Sequence, residues 1–266
     1  MAQLNANQHY LRTALALAYG ARAAYSNNPG GDAKFAALSW DTVKSFSNQR
    51  TNTQGFVAAN ADHVVVSFRG TEPREVEDWV TDLRYKYYRT KVGGGNVHDG
   101  FWTAWKSVKD KVVDQLQTAV TNKQTIWFTG HSLGAALATL AARDMPKKFK
   151  PTAVHTFGSP RCGSPQYAKA YNVHAKRFVN ENDIVPHVPL QGMFIRYKYS
   201  HVGQRQIMRP DGKITSSNAA WVRLLKDIAK VSVLGIGSTA VSSFKNHSMN
   251  RYIAKLAKHA ANRARG

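Results

Sequence analysis

Acidic residues are what this chain most lacks: sixteen Asp and Glu stand against 37 Lys and Arg, a formal net charge of +21. So wide an imbalance draws polyanions in general, whether nucleic acid, an anionic lipid surface or an acidic polysaccharide. Solubility alone is the competing explanation. Cysteine is nearly absent. Cys162 stands alone, which excludes an intramolecular disulfide and a cysteine-built zinc site, so the fold needs no oxidising compartment. Long apolar runs are missing too, since no stretch approaches the roughly 18 unbroken apolar residues of a membrane span. The longest candidate, residues 231–244, is short and broken by Ser and Thr, and reads as a semi-buried connection. There is no repeat, no low-complexity tract and no linker, and 266 residues suit one domain spanning 1–266.

Near the N-terminus, "ALALAYGARAAYS" has the small and apolar character of a signal segment, but no Lys or Arg precedes Arg12, and Arg12 and Arg22 interrupt it. Tyr10, Leu11, Ala14, Leu15, Ala18 and Tyr19 instead share one helix face. An amphipathic helix packed on the domain is therefore expected. The compartment would be the cytoplasm, or the outside by a route without a classical signal.

Short apolar runs bounded by Gly, Pro or polar residues occur at 63–68, 125–129, 153–157 and 176–180. Strands buried on both faces of a largely parallel sheet have this pattern. Residues 194–200 and 206–210 read as a hairpin. Helical patterns run over 102–120, 133–142, 219–232 and 247–262. Strands alternating with helices predict an α/β domain.

Gly130-His131-Ser132-Leu133-Gly134 lies between one of these strands and one of these helices. A bare G-x-S-x-G should occur by chance in roughly one chain in ten of this size. Its position gives it meaning, because a nucleophile elbow is a tight strand-to-helix turn whose glycines avoid collisions with both neighbours. The N–H groups at the helix start can hold the anion of an acyl-transfer intermediate.

A serine nucleophile needs a base and a group to orient it, in the chain order Ser, acid, His for this architecture. Of the acids after Ser132, Asp144 and Asp227 fall on helical patterns and Asp211 in a turn. Asp183 follows the strand at 176–180, at the strand end where sites form in open sheets, and is the choice, with Glu181 second. Among the later histidines, His187 is too close behind Asp183 and His259 lies in a basic helix. His247, where a loop enters the last helix, ranks first, and His201, read as a packed structural histidine, second.

With these motifs in view, the chain resembles the fungal-type, or class 3, lipases. The segments "VVVSFRGT", "DWVTDL", "VHDGFWTAW", "GHSLGAALA", "FGSPRCG", "NDIVP", "YSHVG" and "HSMNRY" follow one another in that family's order. The resemblance implies an α/β-hydrolase fold, a mostly parallel central sheet flanked by helices, with a lid segment over about 72–95. It matches Ser132 to the nucleophile, Asp183 to the triad acid and His247 to the base. Thr71 and the backbone N–H of Leu133 match the oxyanion-hole donors. In the lid region, Trp79, Leu83, Tyr85, Tyr87 and Tyr88 alternate with Arg74, Arg84, Lys86, Arg89 and Lys91, which suits a lipid–water interface. An ordinary amphipathic loop has the same pattern.

The expected function is hydrolysis of carboxylic esters of lipids through an acyl-enzyme, with no metal or organic cofactor. A lipid or other ester substrate and an anionic lipid surface are the expected partners; nucleic acid is not. The rival readings are a phospholipase A on anionic membranes, a feruloyl-type esterase, and a polyanion-binding protein on a hydrolase scaffold.

Overall fold

The computed structural model describes residues 4, 10–72, 75–82, 87–88, 94–121, 123–189, 198–216 and 245–263. In chain order the elements are helices α1 (Tyr10–Ala23) and α2 (Ala33–Ala36), strands β1 (Thr42–Asn48), β2 (Thr53–Ala59) and β3 (His63–Phe68), and α3 (Val76–Asp82). The short pair β4 (Tyr87–Tyr88) and β5 (Val97–His98) follows, then α4 (Asp99–Ala119), β6 (Thr125–His131), α5 (Leu133–Asp144) and β7 (Ala153–Phe157). The chain continues through α6 (Pro165–Ala170), β8 (Ala175–Asn180), β9 (Gln204–Met208), β10 (Ile214–Thr215) and α7 (Met249–Arg263).

Eight strands form one sheet in the order β1-β2-β3-β6-β7-β8-β9-β10. From β3 to β9 every neighbouring pair is parallel, while β1, β2 and β10 are joined antiparallel at the edges. The parallel strands therefore end together along one edge of the sheet.

Period-two alternation divides the core. In β3, Val64 and Val66 face one side and Val65 the other; in β6, Ile126 and Phe128 oppose Trp127. One face is covered by α4 and α5 through Trp105, Val108, Val112, Leu137 and Leu140. The other is covered by α1 and α7 through Leu11, Leu15, Leu17, Tyr252 and Leu256. The alanines of α1 bring its backbone close enough to accept hydrogen bonds from the sheet: Ser67 Oγ donates to the Gly20 carbonyl at 3.0 Å and Thr129 Oγ1 to that of Leu17 at 3.2 Å.

The expected α/β-hydrolase architecture is thus present, with one pairing corrected. The strand at 206–210 does not pair antiparallel with 198–200, which is not a strand. It runs as β9 parallel to β8 and turns back through residues 209–213 onto β10. That turn carries the "RPDGK" signal, where the Lys213 N–H donates to Asp211 Oδ1 at 2.8 Å. Residues 194–197 of the other expected arm (194–200) lie outside the described residues, as do the expected helix at 219–232, the expected connection at 231–244 and the expected lid residues Arg74, Leu83, Arg84, Tyr85, Lys86, Arg89 and Lys91. Among the described residues no helix is long and apolar enough to cross a membrane.

Candidate active site

Ser132 joins β6 to α5 with φ 57° and ψ −130°, a backbone region that side chains rarely adopt and that costs roughly 1–3 kcal/mol. Two hydrogen bonds hold it there: its N–H donates to the Phe157 carbonyl at 3.1 Å, and its carbonyl accepts from Ala135 N at 3.0 Å. The flanking glycines are obligatory. A Cβ on Gly130 would sit 2.3 Å from the Gly134 carbonyl oxygen, and one on Gly134 would sit 2.2 Å from that of Phe68.

Asp183 follows β8 at the same sheet edge and is fully buried. Its Oδ1 accepts from Val185 N at 2.9 Å, and its Oδ2 from His247 Nδ1 at 2.7 Å and from the Tyr252 hydroxyl at 2.6 Å. Three donors offset the cost of burying the carboxylate. With Nδ1 donating, the free lone pair of His247 is on Nε2. Both Nε2 and Ser132 Oγ are buried, and neither has a hydrogen-bond partner among the described residues. Gly158, at φ 60°, leaves room for the pair, since a Cβ there would lie 2.7 Å from His247 Cε1 and 3.0 Å from Asp183 Oδ2.

Three further side chains reach this centre, none of them assigned from the sequence. His131, next to Ser132, stacks on the His247 ring at 4.3 Å between centroids. Its Nε2 donates to the His247 carbonyl at 2.6 Å, which leaves Nδ1 to accept from the Tyr25 hydroxyl at 2.8 Å. The carbonyl can only accept, so this tautomer is fixed. Burial, reinforced by the neighbouring His247, holds His131 well below the usual imidazole range, and it stays neutral. Tyr25 also crowds Gly70, where a Cβ would be 2.3 Å from its oxygen. It thereby ties α1 to the loop after β3. Tyr252, on the buried stripe of α7, accepts from Asn180 N at 3.0 Å while donating to Asp183. A tyrosine on an apolar stripe needs a partner for its hydroxyl, and that was the available signal.

Thr71 and Leu133 line a cleft of about 720 Å³ together with Trp79, His98 and Phe101. Arg69 fixes the loop that carries Thr71: its N–H donates to the Gln54 carbonyl at 2.9 Å, its guanidinium to Gln54 Oε1 at 2.7 Å, and it pairs with Glu72. Ser132 does not line this cleft and is fully covered. Trp79 of α3 stacks on Phe101 at 6.2 Å, at the cleft wall.

The alternatives have other tasks. His201 Nε2 donates to the Pro186 carbonyl at 2.7 Å, and burial followed by the charge of Arg177 holds it well below the usual range. With Arg161, which donates to the Pro189 carbonyl at 2.7 Å, it pins the turn after Asp183. Asp144, on α5, accepts from Trp105 Nε1 at 2.8 Å and Lys109 Nζ at 2.7 Å. No His, Cys, Asp and Glu cluster suited to a metal occurs among the described residues.

The model of the family Lipase (class 3) matches residues 65–193. The secreted mono- and diacylglycerol lipase A of Penicillium cyclopium is 35% identical over 205 residues, covering 74% of this chain and 62% of that protein. Phospholipase A1-II 1 of Oryza sativa subsp. indica is 31% identical over 218 residues, covering 67% and 53%. The chain thus spans between about half and two thirds of the length of these relatives. In structure, a mutant MDLA of Penicillium cyclopium superposes with a TM-score of 0.66 at 30% identity, over 75% of this chain and 80% of that one. The motifs in their order, the elbow geometry and these likenesses converge: the chain belongs to the class 3 lipase family of the α/β-hydrolase superfamily.

Proposed function

We propose that this chain, as one domain with its lid near residues 72–95, hydrolyses carboxylic esters of lipids through a Ser132–His247–Asp183 triad. The observation that carries this reading is the buried Asp183–His247 pair beside the Ser132 elbow, with His247 Nε2 and Ser132 Oγ both left without a hydrogen-bond partner among the described residues. Ser132 Oγ attacks the acyl carbonyl while its proton passes to His247 Nε2, and Asp183 stabilises the imidazolium that forms. The N–H groups of Leu133, at the start of α5, and of Thr71 receive the oxyanion. Collapse breaks the ester C–O bond, and His247 returns the proton to the departing alcohol. Water then attacks the acyl-enzyme with His247 as base, releasing the carboxylic acid.

The named activity of the Penicillium relative supports an acylglycerol substrate, and its being named as secreted supports export of this chain. The rice relative supports a phospholipid as the second reading. A hydrolysis profile over p-nitrophenyl esters, a triglyceride emulsion and phospholipid vesicles separates the two. Ser132→Ala is expected to abolish turnover on every ester and labelling by a fluorophosphonate, with unchanged circular dichroism. Residual activity above about 1% would remove Ser132 from the nucleophile role, since loss of a triad nucleophile costs far more than that.

A further inference from the structure

The parallel strands β3, β6, β7, β8 and β9 bring Thr71, Ser132, Gly158, Asp183 and the β9–β10 turn to one sheet edge. At the β8–β9 end of that edge, cations gather from three elements: Arg209 and Lys213 on the turn, Lys245 before α7, and Arg251, Lys255 and Lys258 along it. Contacts hold these elements together. Lys255 Nζ donates to the Met208 carbonyl at 3.2 Å and also to Asn180 Oδ1, and Arg251 to Asn246 Oδ1 at 2.6 Å. His259 Nδ1 donates to the Gly212 carbonyl at 3.2 Å, and a Cβ on Gly212 would lie 3.0 Å from Lys258 Cδ. Among the described residues the carboxylates acting on Lys255 are Glu181 and Asp211, and the latter is occupied in capping its own turn. Lys213, Lys245, Arg251 and Lys258 are exposed.

We infer that this face is a docking surface for an anionic lipid bilayer that sets the catalytic edge against the membrane. It rests on the lipid-ester reading above. Long, exposed cationic side chains spread over three elements suit a plane of phosphates better than a single phosphate, since each gains from the diffuse surface potential without converging. The position favours a membrane over nucleic acid, because Lys245 is two residues from His247 and the surface adjoins the edge to which a scissile ester must be delivered.

The test compares two quadruple variants with the same change in net charge. One neutralises this face (K213Q, K245Q, R251Q and K258Q). The other neutralises four exposed lysines just before β6 and β7, at the opposite edge (K123Q, K147Q, K148Q and K150Q). Binding is measured by co-sedimentation with vesicles of phosphatidylcholine alone and mixed with phosphatidylglycerol, at rising salt. Turnover of p-nitrophenyl butyrate is followed in parallel. The wild type is expected to bind only the mixed vesicles and to be released by salt. The first variant should lose roughly 100-fold in partitioning, each surface cation contributing up to about fivefold, and keep its soluble-ester turnover. The second should bind nearly as the wild type does. Equal losses in both would assign binding to net charge and overturn the surface. So would undiminished binding in the first, or wild-type binding to a DNA duplex in place of the vesicles. Failure of the ester-hydrolase reading would show separately, as absent turnover in all three proteins.

Discussion

One hydroxyl, that of Tyr252, satisfies a strand-end amide and the carboxylate of Asp183, the proposed orienter of the base. Tyr252→Phe leaves the Asn180 N–H and one lone pair of Asp183 buried without partners. The expected cost is about 1–3 kcal/mol in denaturant unfolding, with roughly tenfold lower kcat on a soluble ester and unchanged KM. Undiminished turnover would reduce Tyr252 to a structural role. The proposed triad of Ser132, Asp183 and His247 could be put forward from the sequence because chain order and positions at element ends restrict the choice. Tyr25, His131 and Tyr252 could not, for a reason of geometry: each acts through a hydrogen bond to a residue about 70 or more positions away. His131 in particular lies inside the elbow motif yet faces the base rather than the substrate. Gly158 lay within a segment that carried the family resemblance, but only its closeness to the imidazole explains why no side chain fits there.

At the scale of elements, the strands that were legible are those buried on both faces, where apolar residues run without interruption. β1 escaped notice because it is an edge strand in which only Phe46 is buried, so "TVKSFSN" carries no apolar run. β2 contains Gly55, which breaks the pattern for a packing reason: a Cβ there would fall 2.3 Å from the Ser67 carbonyl oxygen. The hairpin was misread because turn chemistry was noticed in "RPDGK" but the return strand sought on its wrong side; β10, with two residues, is too short to announce itself. The loop after β3 is where an element bears on rate. Since Arg69 anchors that loop, Thr71→Ala should remove only a hydroxyl and keep the backbone donor in place. A loss approaching 10²-fold in kcat would mean that the hydroxyl also donates to the oxyanion, and a smaller loss that the amide suffices. No loss on any ester would mean that the hydroxyl has no part in the reaction and that the site is served by backbone donors alone.

For the whole molecule, the strongest commitment is to neutral histidines in the interior. Burial, with nearby cations, pushes His155 down to about 3 and His187 to about 4, while His131 and His201 are held well below 6.5. The unfolded chain takes up these protons below about pH 6.5 and the folded chain does not. Stability is therefore fully present above pH 6.5 and is lost as pH falls towards 4. Each histidine contributes a slope of up to about 1.4 kcal/mol per pH unit in that window. Urea unfolding between pH 4 and 8 should show a midpoint that is flat at the alkaline end and falls steeply below 6.5. A constant midpoint down to pH 4 would contradict the neutral assignment. A different consequence follows from the packing of α1 against α7. On the ribosome, a nascent chain that has grown as far as β10 already holds the elbow and Asp183, but its imidazole has not yet been made. The proposed triad is then completed only when α7 has emerged and packed on α1, so a partly made chain carries the elbow without its base.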